Sequence, residues 1–277
     1  MEFRTPIGKI DSEFGISHSD KILMLGSCFT DSIGERLERG GFDVVRNPGG
    51  PLFNPASIAG AITHADTPYT ARDLVEHEGI YHCLDFASRF SGKNAEEVLA
   101  RVNAVRETIA DRLACADLAI FTFGTTRIYK YGCKIAGNCH RLPPATFSES
   151  NLAIDEITGI WSQLADSLPK RVIFTVSPIR YTAYGLDANF LSKATLRLAV
   201  EQLCNSREGI EYFPSFEILN DDLRDYRFYA SDMKHPSDTA VNYIMEKFSE
   251  TYFDEATRRV AAEFERQAAR AAHIERN

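Results

Sequence analysis

The sequence predicts a doubly wound α/β fold, a three-layer α/β/α sandwich around a mostly parallel five-stranded sheet. Two observations carry this. Short runs rich in Ile, Val, Phe and Leu recur without polar alternation, as strands covered on both faces require. Helix-like stretches fall between them, and strand–helix–strand repetition closes a parallel sheet through right-handed crossovers.

The candidate strands are KILMLG at 21–26, FDVVRN at 42–47, DLAIFTFG at 117–124, RVIFTV at 171–176 and GIEYFPSFEIL at 209–219. The first helix is expected from about Thr30 to Gly40, where Gly40 and Gly41 stop it. Further helices are expected over 55–65, 94–114, 151–167, 187–206 and 238–252, with Asn94 and either Ser237 or Asp238 as N-caps. Two stretches interrupt the rhythm, near 66–93 and 127–150. The second reads as a hairpin turning at Gly132, followed by a Pro-Pro loop. Residues 1–253 are therefore expected to form one α/β domain with two insertions, and 254–277 a charged helix or tail.

Composition narrows the function classes. With 277 residues, 44% hydrophobic and 25% charged, the chain has the makings of a sizeable core. Its formal net charge of −8 opposes a phosphate backbone, so no nucleic-acid partner is expected. No stretch reaches the ~20 apolar residues of a spanning helix, so neither a membrane partner nor a targeting segment is expected. Cys28, Cys83, Cys115, Cys133, Cys139 and Cys204 include no C-x-x-C pair; they read as reduced, buried thiols of a cytoplasmic protein.

In an open α/β sheet, ligands bind beyond the carboxyl ends of the strands. Gly26-Ser27-Cys28-Phe29 follows the first strand, where a side chain at the positive end of a helix sits beside free N–H groups. Ser27 is either a nucleophile there or a helix cap. Cys28 is the other nucleophile available, but no histidine lies near it in sequence, which favours a packed thiol. After the last strand, Asp232-x-x-His235 lets a carboxylate fix the imidazole tautomer, and Pro236 keeps His235 on a loop; a capping aspartate beside a surface histidine is the alternative.

Asn47-Pro48-Gly49-Gly50 after the second strand offers glycines that either point an N–H into a site or only make the turn. Arg180, Tyr181 and Tyr184 follow the fourth strand, where they either bind substrate or cover the core. His77 and His82, with Glu76, Glu78, Asp85 and Cys83, match no closed zinc spacing, so no metal is expected, and nothing implies another cofactor.

The phrases LGSCFTDSIGERL, NPGGPLFNPASI, FGTTRIY, GNCHRLP, TVSPIRY and DMKHPSDTAVNYI resemble the GSCFA-domain family, a branch of the SGNH (GDSL-type) hydrolase superfamily, over about residues 20–252. The resemblance implies an SGNH-like, flavodoxin-like sandwich and a serine-dependent ester hydrolase acting through an acyl-enzyme. Small acyl groups on a carbohydrate are the substrates it suggests, with acyl transfer at the same site or a non-catalytic binding module as alternatives. Carried over by position, Ser27 is the nucleophile, His235 the general base and Asp232 its orienting carboxylate. The backbone N–H groups near Ser27 and at Gly50 form part of an oxyanion hole. The superfamily's Gly-x-Asn-Asp is absent, the loop reading Gly124-Thr125-Thr126-Arg127. Losing such a donor costs about 10²–10³ in rate, so Thr125 or Asn138 is expected to replace it, with His140 a further candidate. Asn54, Arg180 and Tyr181 are expected to meet the substrate.

Overall fold

A computed structural model describes residues 4–274. Five parallel strands form the central sheet: β1 (Lys21–Gly26), β2 (Asp43–Arg46), β3 (Leu118–Phe123), β4 (Arg171–Val176) and β5 (Ile210–Tyr212), in the order β5-β4-β3-β1-β2. The register aligns Leu23 with Ala119 and Ile120 with Ile173. The order reverses between β1 and β3, which sets a crevice at their carboxyl ends.

Alternate side chains of each strand feed two cores. Leu23, Leu25, Phe121 and Phe174 pack toward α2 (Pro55–Thr63), α3 (Ala95–Cys115), α4 (Ile154–Ser162) and α5 (Gly185–Cys204). Ile22, Met24, Ile120 and Ile173 pack toward α1 (Cys28–Arg39) and α6 (Asp238–Tyr252). Both faces of β1 are thus dry, as its unbroken apolar run requires. Asn94 caps α3 by accepting from Glu96 N and Glu97 N, and Ser237 caps α6 by accepting from Ala240 N. The last helix, α7 (Glu255–Ile274), lays the Phe264 ring beside His18 and against Gly41.

The interruptions are small antiparallel sheets: a hairpin of Leu74–His77 with Ile80–Cys83, and Arg127–Tyr131 paired with both Lys134–Ala136 and Ser148–Asn151. Several boundaries differ from the sequence reading, and the helix expected over 151–167 spans only Ile154–Ser162. Helix α1 starts at Cys28, two residues before Thr30. The fifth strand stops at Tyr212, and the apolar run beyond Pro214 turns helical through Leu223. Ser148–Asn151 is a fully exposed edge strand whose polar sequence gives no strand signal. All six cysteines are unpaired, but Cys115 and Cys133 are exposed, not buried. Among the described residues no helix is long and apolar enough to cross a membrane.

Candidate active site

The turn after β1 is tightly built. At Gly26 a Cβ would come within 2.5 Å of Thr122 O, so only glycine lets β1 approach β3 this closely. Ser27 N donates to Thr122 O (3.1 Å) and Ser27 O accepts from Thr30 N (2.8 Å). The buried Asn47, at the end of β2, ties the turn from the other side: its Oδ1 accepts from Gly26 N (2.9 Å) and its Nδ2 donates to Ser27 O (3.4 Å). Ser27 is the N-cap of α1, its Oγ accepting from Phe29 N at 3.3 Å, and it has no exposed surface.

The next residue opens outward. Cys28, first in α1, is half-buried and lines the cleft beyond the strand ends. Its amide is one of the helix-terminal N–H groups that no preceding turn can satisfy.

His235 reaches this thiol from the far end of the chain. The loop between Tyr229 and Pro236 is closed by a bridge between those two residues and by Ala230 N donating to His235 O (2.7 Å). Inside it, Asp232 Oδ1 accepts from Lys234 N (2.9 Å) and His235 N (3.0 Å), while Oδ2 lies 2.5 Å from His235 Nδ1. A carboxylate at Nδ1 selects the tautomer with the proton there and leaves the Nε2 lone pair free. His235 Nε2 is 3.5 Å from Cys28 Sγ. Bonds from the His235 ring, its backbone N–H and the Lys234 N–H hold Asp232 well below the usual carboxylate range. Burial raises the Cys28 thiol, aided by the Asp31 charge, while its own N–H and the Lys193 charge pull the other way. Burial thus favours the thiol over the thiolate at Cys28.

His235 Nε2 lies against Cys28 Sγ, not against the Ser27 hydroxyl that the sequence reading paired with it; Ser27 Oγ has no exposed surface and accepts from Phe29 N, and distance in sequence was no guide to distance in space. Gly50 also requires correction. Its N–H closes a turn onto Asn47 O (2.8 Å), and at φ +91 with Ala87 packed against it, the glycine serves that turn and lies outside the cleft.

Other expected residues do line the cleft, which encloses about 710 Å³. Thr125 and Asn138 are both there, although Thr125 Oγ1 accepts from Arg127 N (3.2 Å) and Asn138 Oδ1 from His140 N (2.9 Å). Asn54 lines it while capping α2 through Ser57 N (2.8 Å). Arg180 lines it with Nη1 donating to Met233 O (3.3 Å) and its guanidinium over Tyr226 and Tyr229. The Tyr181 hydroxyl is buried among Ser27, Ser177 and Gly124 with no well-formed bond, and burial raises its pKa. His140, the further candidate, lines the cleft but is buried: Nε2 meets Cys83 O (2.8 Å) and Nδ1 meets Ser91 Oγ (3.1 Å), whose other neighbour is His82 Nδ1 (2.8 Å).

Sequence reasoning missed Lys193. It is 2% exposed, and its Nζ donates to Gly124 O (2.7 Å) and Ser177 O (2.6 Å), clamping the ends of β3 and β4 beneath the cleft. Burial lowers its pKa to about 7. A lysine within a helix ordinarily reads as solvated, and nothing in its neighbours signals otherwise.

The GSCFA family model matches residues 21–248. Among solved structures, a carbohydrate esterase family 3 protein from Talaromyces cellulolyticus aligns over 83% of this chain and 94% of that chain, at 10% identity and a TM-score of 0.37. No curated protein matches.

Proposed function

The chain belongs to the GSCFA family, and from that premise we propose that it is an acyl-ester enzyme whose nucleophile is the Cys28 thiol. The observation that carries this reading is the line Asp232 Oδ2, His235 Nδ1, His235 Nε2, Cys28 Sγ, at 2.5 Å and 3.5 Å. Base, orienting carboxylate and nucleophile stand in the relation that acyl transfer requires.

In the first half-reaction Cys28 Sγ attacks the ester carbonyl carbon as its proton passes to His235 Nε2. The positive end of α1, with the Cys28 N–H, stabilises the oxyanion. The C–O bond then breaks, His235 returns the proton to the departing alkoxide, and an acyl thioester remains on Cys28. Water enters, gives a proton to His235 and its oxygen to the carbonyl carbon; the C–S bond breaks and Cys28 recovers its proton. Asp232 stays ionised throughout, holding Nδ1–H and stabilising the imidazolium. An alcohol in place of water makes the same site a transferase. Because burial holds the thiol protonated, His235 acts as a true base, not as the partner of a preformed thiolate.

The test is competitive alkylation with iodoacetamide, mapped by peptide mass spectrometry. Burial slows Cys28 relative to the exposed Cys115 and Cys133, so the readout is the base: its alkylation is expected to fall at least tenfold in His235→Ala while theirs is unchanged. A fluorophosphonate adduct on Ser27, with Cys28 alkylated at the same rate in His235→Ala, would overturn the assignment.

A further inference from the structure

The cleft above Cys28 is much larger than a two-carbon acyl group needs; at about 710 Å³ it has the size of a site for a drug-sized ligand. Phe53, Leu152, Ile179, Tyr181 and Leu191 give it mostly apolar walls.

Most of the neutral polar lining is already engaged within the protein, and the charged lining is cationic: Arg127, Arg141, Arg180 and Lys234. Asn54, Asn138, Asn151 and Asn189 all line the cleft, and their carbonyl oxygens accept from Ser57 N, His140 N, Thr126 Oγ1 and Tyr181 N at 2.8, 2.9, 3.4 and 2.9 Å. Ser192 Oγ accepts from Thr126 N (2.8 Å), and the Tyr129 and Tyr184 hydroxyls bond each other (2.8 Å), Tyr184 also donating to Glu149 (3.0 Å). No Asp or Glu lines the cleft. A sugar ring is rich in hydroxyl donors and needs acceptors, and leaving them unpaired carries a desolvation penalty. A hydrocarbon chain asks for none.

The apolar surface also continues outward. Leu191, in the wall, is 60% exposed, and Leu186 and Phe190 on the same turns of α5 are 56% and 64% exposed. Large apolar side chains rarely cluster in the open without a ligand or partner to cover them.

We propose that the cleft is an acyl-chain site: the substrate that presents its carbonyl to Cys28 carries an apolar chain well beyond acetyl length, lying between Tyr181 and Leu191, while any polyol portion stays outside. This rests on the reading of Cys28 as nucleophile and adds the class of acyl group.

The experiment is a chain-length series of p-nitrophenyl esters from two to ten carbons on the full-length protein. It is paired with the rate of Cys28 alkylation by methyl and octyl chloromethyl ketones, which needs no turnover. Full burial of a methylene adds roughly fourfold, so even partial burial of the six added from C2 to C8 should raise kcat/KM about tenfold or more. The octyl reagent should alkylate Cys28 faster than the methyl one, and Leu191→Glu should flatten both trends. Turnover that is greatest with acetate and falls with length would overturn the acyl-chain assignment while leaving the enzyme reading intact. No turnover, but faster octyl alkylation, would support the chain site and defeat the ester chemistry. Neither turnover nor a chain-length dependence of alkylation would defeat both.

Discussion

The two segments that meet at the site are built in opposite ways. The turn from Gly26 to Phe29 is welded into the sheet: Thr122, Asn47 and Thr30 all bond its backbone, and Ser27 has no exposed surface. The loop from Ala230 to His235 is exposed and is shaped mainly by its own bonds to Asp232 and by the bridge from Tyr229 to Pro236. A nucleophile benefits from a rigid seat, because the oxyanion donors beside it must not move. A base that carries a proton to and from solvent benefits from exposure. Substitutions that break the bonds seating the turn's backbone, such as those at Gly26 or Asn47, should therefore disturb stability and chemistry together, and substitutions in the loop chemistry alone.

The largest effect tests the loop. His235→Ala should remove ester turnover to background while leaving the urea midpoint essentially unchanged, since the side chain is half exposed and buries no core surface. Cys28→Ala should remove turnover equally, and the double variant should be no worse than either, as groups that act as a unit are not additive. Asp232→Asn should follow with a loss of roughly 10²- to 10⁴-fold in kcat, because the amide can no longer enforce the Nδ1–H tautomer. A clear drop in the midpoint for His235→Ala would break the contrast by showing that the loop also supports the fold.

How much of this was legible in sequence depends on the length scale of each signal. The strands and helices were readable because apolar runs and caps are local: Lys21–Gly26, Arg171–Val176 and Asp238–Tyr252 fall where the pattern put them. The Asp232–His235 unit was readable for the same reason, its three-residue spacing closing on itself. The choice between Ser27 and Cys28 turned on a helix boundary. The sequence left Ser27 open as cap or nucleophile; with α1 begun at Cys28 and not Thr30, Ser27 is the N-cap and its neighbour is the residue that lines the cleft. Gly50 and Lys193 depend on contacts from distant segments, Ala87 for one and Gly124 and Ser177 for the other, which no local pattern encodes.

Lys193 sharpens the contrast from beneath the turn. Unfolded, its amine titrates near 10.5; folded, burial lowers it to about 7. Between those values the unfolded chain binds the extra proton, so this group makes stability rise with pH over about 7 to 10.5. Lys193→Met should remove that part of the slope, a difference on the order of a few kcal/mol across the window in urea titrations at stepped pH. Parallel stability curves for the two proteins would mean that the lysine only ties Gly124 O and Ser177 O together.

The smallest effect is the most discriminating, because it separates two adjacent residues. Ser27→Ala removes the cap that accepts from Phe29 N, which should cost about 1 kcal/mol, and so lower the urea midpoint. It leaves Cys28, His235 and Asp232 untouched, so turnover per folded molecule should stay within about tenfold of wild type, any loss coming from a slightly freer α1 N-terminus. Ser27→Asp, which keeps a capping oxygen and adds charge at the positive end of the helix, is a poorer probe because it sets an anion beside the oxyanion position. Ser27→Gly is better: glycine is tolerated at N-caps at a cost of only a few tenths of a kcal/mol, so an enzyme that works through Cys28 should keep both its fold and its activity. Loss of all turnover in Ser27→Gly with the midpoint preserved would return the chemistry to the serine and leave the thiol as its neighbour.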